Sequence, residues 1–223
     1  MAEDVSRLLQ LPRELRDHIY QFIVPRDIFE SSWDQDINKI RRRLPGVTNT
    51  NRQVREETMQ VLLRNTIWLL PHYKHIQPFH DFLYSFPNGA GFANIRTLIL
   101  QDLSLLGTKL IKYCISLRTL VIVFDGPEVV GQRLIRNGHW DMKKLWKLGD
   151  NWPIFQIPML EKLVLAMRSC ADWVRSQFRD SAIFAGLETW LNQKFEQEGK
   201  RVGILPVPDL PWKTDTWIDE LGL

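Results

Sequence analysis

Apolar residues spaced three and four apart predict a helix near the amino terminus. The residues that share one face of this helix are Leu8, Leu11, Leu15, Ile19, Phe22 and Ile23. Pro12 suits the first helical position, because the N–H that proline lacks has no intrahelical partner there. Pro25 disfavours helical backbone at Val24, the residue before it. The pattern therefore predicts a helix over about residues 12–24.

A long connection and a second helix are predicted to follow. Residues 25–46 carry many charges and no apolar period, which indicates a connection containing one short helix around residues 36–43. The second helix is predicted over residues 48–64, and Asn or Thr near its start can cap it. The side chains on its apolar face are Val47, Val54, Thr58, Val61 and Leu62.

A strand and a third helix come next. Residues 65–70 are rich in β-forming types and stop at Pro71, which indicates a strand. Helical spacing then returns in Ile76, Phe79, Leu83 and Phe86. Pro78 fits such a helix only in its first turn, and residues 87–91 contain the glycines expected to end it.

A weak internal repeat dominates the second half of the chain. Residues 94–100 recur as residues 116–122 and again as residues 159–165, each with the pattern apolar-x-x-Leu-x-apolar. This pattern is typical of the strand of a leucine-rich repeat, and the first spacing falls within the period of about 20–29 residues of such repeats. Helical stretches between the copies, one around Leu106 and one around Trp140, indicate crossovers and hence parallel strands.

The tail continues the alternation of helix and strand. A helical stripe through Leu187, Trp190, Leu191 and Phe195 ends at Gly199, and residues 202–205 form a short strand. Trp212 and the apolar residues after it are expected to cap the open end of the array. The predicted fold class is therefore α/β, with an N-terminal helical segment followed by an irregular leucine-rich-repeat-like array of parallel strands and helices.

Alternation along the three repeat strands assigns their side chains to two faces. Positions such as Leu98, Leu120 and Leu163 are expected to point into the core. The opposite face receives Thr97, Ile99, Thr119, Val121, Lys162 and Val164. In an open arc this row forms an exposed apolar strip that binds a protein. In the alternative, the strip is covered, because parallel strands are usually buried on both faces.

Composition places the chain among ordinary globular proteins. It has 223 residues, of which 44% are hydrophobic and 25% charged, and a formal net charge of +3. An acidic start and the lack of an apolar run of about 18 residues predict an intracellular protein, cytoplasmic or nuclear, with no membrane partner. The basic run at residues 39–43 ends at a turn, which indicates a solvated loop, with a localisation signal or a patch for an acidic partner as the alternative. Nucleic acid is not the expected partner. Cys114 and Cys170 are expected to be reduced core thiols.

No motif in the sequence predicts catalysis. His72, His75 and His80 are close in sequence, but Pro71 and Pro78 interrupt the stretch and only Asp81 could complete a ligand set, so no metal site is expected. Residues 89–91 precede a strand instead of following one, which indicates a turn and not a phosphate loop. The sequence therefore predicts a protein that is not an enzyme and holds no cofactor. An active site outside the known motifs stays an alternative.

Two segments resemble the F-box-like domains of fungal proteins. The first is Leu-Pro-Arg-Glu-Leu-Arg-Asp-His-Ile-Tyr at residues 11–20, and the second is Asn-Arg-Gln-Val-Arg-Glu-Glu at residues 51–57, followed by Asn-Thr-Ile at residues 65–67. The resemblance covers about residues 8–70. Together with the repeat it implies an F-box-like helical domain over residues 1–64 and a leucine-rich-repeat-like α/β region with a C-terminal cap over residues 65–223.

In that family the domain docks on the Skp-type adaptor of a cullin ubiquitin ligase, and the region after it holds a protein substrate. The resemblance implies that Leu11, Pro12, Leu15 and Ile19 contact the adaptor, with Arg52 and Arg55 at the matching basic positions. The substrate stays unidentified. Two alternatives stay open: a scaffold or regulatory protein that kept the fold without ligase binding, or a first helix that only covers the protein's own array.

Overall fold

The computed structural model describes residues 7–24, 28–30, 46, 51–101, 105–125, 135–136, 139–140, 152–168 and 182–210. Its α-helices are α1 (Arg13–Ile23), α2 (Arg52–Asn65), α3 (Tyr73–Tyr84), α4 (Ala90–Ala93), α5 (Leu105–Tyr113) and α6 (Ala182–Gln197). Its strands are β1 (Ile28–Glu30), β2 (Ile67–Leu70), β3 (Thr97–Leu100), β4 (Thr119–Asp125), β5 (Ile135–Arg136), β6 (His139–Trp140), β7 (Lys162–Arg168) and β8 (Gly203–Leu210). Short 3-10 helices cover Arg7–Gln10, Pro87–Gly89 and Pro153–Gln156.

The fold is α/β, as predicted, and is built on one parallel sheet. Six strands lie in the order β1-β2-β3-β4-β7-β8, and every neighbouring pair is parallel. Strands β5 and β6 form a separate antiparallel pair. Because parallel neighbours need crossovers, the chain leaves the sheet after each of its first five strands and re-enters beside the previous one.

The strand register follows the repeat found in the sequence. Thr97 pairs with Thr119, and Thr119 pairs with Lys162, so the three repeat copies align residue for residue. Two further strands keep this register, because Ile67 pairs with Thr97 and Lys162 pairs with Gly203. The three-residue strand β1, which lies within the predicted connection, was not anticipated from the sequence.

Helix boundaries follow local capping chemistry. Pro12 precedes α1, and α1 gives way at Val24 to extended backbone before Pro25. At the start of α2, the Asn51 side chain accepts a hydrogen bond from the Val54 N–H at 2.8 Å. Helix α3 begins at Tyr73, earlier than predicted, so Pro78 lies inside the helix and not in its first turn.

The sheet separates two layers of buried side chains. Trp68, Leu98, Leu120 and Leu163 belong to the larger cluster, which packs against the helices and runs from Tyr20 to Val202. The smaller cluster on the other face contains Leu69, Ile99, Val121, Val123, Val164 and Ala166. The predicted alternation of the two faces is therefore confirmed, and residues before and after the predicted boundary at 64/65 share one core.

Of the two alternatives for the second face of the sheet, the covered one is found. Ile99, Val121 and Val164 are each 0% exposed, and Thr97, Thr119 and Lys162 at the strand starts are half-buried. Burial on both faces is the usual state of parallel sheets, whose central strands read as nearly continuous apolar runs. This row is not a free recognition strip in the folded chain.

Several expectations concern residues outside the described ranges. They include the short helix around residues 36–43, most of the helix predicted after Trp140, the cap beginning at Trp212, and the state of Cys170. Trp140 itself lies in β6 and not in a helix. Cys114 is buried, as predicted.

A substitution at Gly91 tests the close packing of α4 on α3. A Cβ added to Gly91 would lie 2.1 Å from the backbone oxygen of Leu83, so the two segments must move apart. We expect Gly91→Ala to lower the free energy of unfolding by about 2–3 kcal/mol in urea denaturation. Gly186→Ala on α6 is the matched control, because its Cβ meets nothing within 4 Å. It should stabilise the protein by about 0.5–1 kcal/mol; equal effects at both sites would contradict the packing.

A charge placed on the second face of the sheet tests its burial. Val121→Lys puts an ammonium group among fully buried apolar side chains, so we expect a loss of at least about 3 kcal/mol in the free energy of unfolding. Ile115→Lys, at a residue that is 55% exposed, should change it by less than about 0.5 kcal/mol. Both values are measured by urea denaturation. A Val121→Lys protein as stable as the wild type would mean that this face is open after all.

Candidate functional site

Helix α1 buries Arg16 and Tyr20 and leaves several large apolar side chains in water. Arg16 is 8% exposed and Tyr20 is 0% exposed, one helical turn apart on the inner side. Leu15 is 50% exposed, Phe22 is 90% exposed and Ile23 is 44% exposed on the outer side. Glu14, His18 and Gln21 are exposed as well, so the exposed apolar side chains lie among polar neighbours on a helix that buries an arginine.

The inner side of α1 is held by one carboxylate, that of Glu57 on α2. Arg16 donates twice to it, from Nε to Oε2 at 2.8 Å and from Nη2 to Oε1 at 2.6 Å. The Tyr20 hydroxyl donates to Oε2 at 3.0 Å, and the Gln53 amide donates to Oε1 at 3.0 Å. Paired donors of this kind fix orientation as well as distance, because the guanidinium fork matches the carboxylate.

The same groups shift each other's ionisation. Hydrogen bonding from Arg16 lowers the pKa of Glu57 to about 2, although burial acts in the opposite direction. Burial, followed by the bond to Glu57, raises the pKa of Tyr20 to about 12. The pKa of Arg16 is raised, chiefly by its bond to Glu57. Glu57 is therefore anionic, Arg16 cationic and Tyr20 neutral over the whole physiological range.

Neighbouring groups tie the start of α1 to the same network. The Arg16 Nη1 group also donates to the Leu11 carbonyl, so the guanidinium holds the residues just before the helix. Arg13 lies 2.7 Å from Asp17 and donates to Gln60 on α2 at 3.2 Å. The outer face of α1 is consequently presented in a fixed orientation.

The predicted adaptor-contact residues lie on or beside this outer face. Leu15 and Pro12 are exposed, and Leu11 and Ile19 are half-buried. The apolar period places Phe22 in the same helical stripe, but the resemblance does not include it among the contact residues. Phe22 is nevertheless the most exposed apolar residue of α1. The half-exposed Leu15 is not used to cover the protein's own sheet, so the alternative of a purely covering helix does not account for this side chain.

The two basic positions of the second segment are separate from this face. Arg52 is exposed and pairs with Glu56, one turn along α2, at 2.9 Å. An exposed pair of this kind contributes little to stability. Arg55 is also exposed.

The histidines and the buried thiol form no reactive centre in the part of the chain that the structure describes. Within those ranges no group of three or more His, Cys, Asp or Glu side chains could hold a metal ion. His72 and His75 have ring centroids 6.3 Å apart, whereas His80 stacks on other aromatic rings. Burial raises the pKa of the Cys114 thiol to about 12, which keeps it protonated and unreactive.

Comparison with known proteins returns no relative. No family model matches the chain, and no curated protein or solved structure matches it significantly. Among the helices within the described ranges, none combines the length and apolar composition needed to cross a bilayer.

Acid should weaken the clamp between α1 and α2. Because the pKa of Glu57 is about 2 in the folded chain and near 4.5 as a free side chain, its contribution to stability is complete above pH 4.5 and is lost as the pH falls to 2. We expect Glu57→Gln to cost about 3 kcal/mol at pH 7, with the difference from wild type shrinking between pH 4.5 and pH 2. The measurement is urea denaturation across that pH range.

The exposed neighbour Glu56 provides the control for this clamp. Glu56→Gln lies on the same helix and breaks only the surface pair with Arg52, so it should cost less than about 1 kcal/mol at any pH. A difference between wild type and Glu57→Gln that stays constant from pH 7 to pH 2 would show that the carboxylate is not the stabilising charge.

Proposed function

We propose that this chain is a non-catalytic protein-interaction protein, the substrate-recruiting F-box-type subunit of a cullin ubiquitin ligase. Its helix α1 docks on a Skp-type adaptor through the outer face defined by Leu15, Ile19, Phe22 and Ile23. The α/β region that follows then carries the protein substrate on the helices and turns around its parallel sheet. The observation that supports this proposal is the exposure of Leu15 and Phe22 on a helix whose inner side is fixed.

The free energy lost by leaving apolar side chains in water supports a binding role for the outer face of α1. Burying a Leu or Phe side chain contributes roughly 1.5–3 kcal/mol, and α1 leaves both types in water while it buries an arginine and a tyrosine. Adjacent exposed apolar side chains of this size commonly mark a protein interface. A partner that covers the outer face would bury these apolar side chains, and their burial would contribute to the binding free energy.

The clamp at Glu57 supports a pre-organised interface. Arg16 and Tyr20 occupy the inner side of α1 and bond to α2, so α1 cannot rotate to bury Leu15 without breaking the ion pair. Rigid presentation lowers the ordering cost of association. The buried polar groups of Arg16, Tyr20 and Glu57 form hydrogen bonds with one another, which fits a structural and not a catalytic role.

The choice of an adaptor as partner rests on the resemblance of residues 11–20 and 51–57 to the F-box-like segments. The two segments lie on adjoining helices, and the bonds that join them run between Arg16 or Tyr20 and Glu57. The first segment thus carries Leu15 and Ile19 of the outer face, and the second carries Glu57, which fixes the orientation of α1. A scaffold without ligase binding has the same face, and the adaptor experiment separates the two functions.

Charges on the outer face of α1 should abolish adaptor binding and leave the fold intact. We expect Leu15→Asp combined with Phe22→Asp to weaken binding to a purified Skp-type adaptor by at least about 100-fold, because exposed apolar anchors dominate such interfaces. Calorimetric titration with the full chain measures the affinity, and circular dichroism checks the fold.

Ile115→Asp is the matched control, since Ile115 is an exposed apolar residue far from α1 in sequence. Its adaptor affinity should equal that of the wild type. Wild-type protein that binds no adaptor, or a double variant that binds as tightly as the wild type, would exclude the adaptor assignment and leave the scaffold function.

A further inference from the structure

An aromatic cavity of about 450 Å³ lies between α3, the turn at Pro87–Gly89, α4 and the end of α5. Its volume falls in the range of small-ligand sites. The side chains that line it include His80, Tyr84, Phe86, Asn88, Phe92 and Tyr113. The cavity takes no part in the docking face of α1.

Four of the rings form a continuous cluster around the opening. The His80 centroid lies 5.2 Å from Phe92 and 5.8 Å from Tyr113, and the Phe92 and Tyr113 centroids are 5.3 Å apart. Tyr84 stacks on His80 at 6.3 Å with a 10° angle between the rings. A group seated against this cluster lies within about 6 Å of several ring centroids at once, which is the range of cation–π attraction.

Two of the rings are accessible to a ligand. Tyr84 is 74% exposed and Tyr113 is 54% exposed, whereas Phe92 is 7% exposed. Asn88 and Gly89 adopt left-handed backbone with φ of 56° and 69°, which shapes the turn at one wall. The Asn94 side chain donates to the Ala90 carbonyl at 2.6 Å and fixes α4.

Among the described residues, none that lines the cavity is a lysine or an arginine, and the carboxylate of Asp81 lies beside His80, outside the lining. The Asp81 carboxylate lies 3.4 Å from the His80 Nδ1 and also accepts a bond from Gln77 at 2.7 Å. When His80 carries its proton on Nδ1 and donates to Asp81, its Nε2 is left as an acceptor. The negative faces of the aromatic rings and this carboxylate attract the same kind of ligand.

We infer that this cavity binds a methylated ammonium group, such as the head group of choline or of a trimethylated lysine side chain. A methylated ammonium group is weakly hydrated, so it loses little hydration free energy on entering an aromatic site. The cation–π attraction of the rings replaces its interaction with water. A neutral group of equal shape receives no such attraction. The site stands apart from α1, so its test is independent of adaptor docking.

The decisive experiment compares choline with its uncharged isostere, 3,3-dimethylbutan-1-ol. Each is titrated into the full-length protein while the tyrosine ring signals are followed by two-dimensional NMR. We expect choline to shift the signals of Tyr84 and Tyr113 and the alcohol to bind at least about tenfold more weakly. Equal affinities of choline and the alcohol would overturn the inference.

Ring substitutions separate a cation site from a general apolar pocket. Tyr84→Leu keeps the apolar volume and removes the ring face, so choline affinity should fall about tenfold, whereas Tyr84→Phe keeps the ring and should bind nearly as well as the wild type. Tyr73→Leu is the control, since Tyr73 is an exposed tyrosine on the same helix outside the cavity. Choline affinity unchanged in Tyr84→Leu would place binding elsewhere and overturn the inference.

Peptides distinguish the two sources of the head group. A short peptide containing trimethylated lysine, and the same peptide with unmodified lysine, are titrated in the same way. Tighter binding of the methylated peptide than of choline supports a modified protein as the ligand, and the reverse order supports a free small molecule. A methylated peptide and choline that both fail to bind would overturn the site.

Discussion

The presented surface of this chain depends on the Glu57 carboxylate, which accepts bonds from Arg16, Tyr20 and Gln53 at the junction of α1 and α2. A buried ion pair of this geometry adds modest net stability, because desolvation of the ions offsets much of their attraction. The main effect of the ion pair is to fix the orientation of α1. Rotating the helix would separate Arg16 from Glu57 and leave a buried charge without its partner, so the fold permits only one rotation. That rotation sends Leu15 and Phe22 to solvent.

The parallel sheet imposes the second constraint. Strands β2, β3, β4, β7 and β8 start in register, and both faces of the sheet carry fully buried side chains such as Leu98 on one and Val121 on the other. A sheet covered on both faces offers no recognition surface in its middle. Contacts with other molecules are therefore left to helices and to the turns at the strand ends, where α1 and the aromatic cavity lie.

The outer face of α1 and the aromatic cavity suit chemically different partners. The outer face of α1 is aliphatic and aromatic and suits an apolar partner surface, whereas the cavity beside α3 combines electron-rich rings with the nearby Asp81 carboxylate and suits a cation. Glu57 fixes the orientation of α1, whereas left-handed backbone at Asn88 and Gly89 and the bond from Asn94 to Ala90 shape the segments beside the cavity.

Local pattern in the sequence determined much of the fold, because each signal acts between residues close in the chain. The apolar period of α1, the cap at Asn51 and the repeat that aligns Thr97 with Thr119 follow from the sequence alone. Strand β1 did not, since three residues carry too little pattern. The choice of which face of α1 is buried, the closure of the second sheet face and the assembly of the cavity rings depend on contacts between distant residues. The apolar pattern of the helix predicts that Leu15 is buried and Arg16 exposed. Burying the arginine is favourable only because the fold places the Glu57 carboxylate beside it.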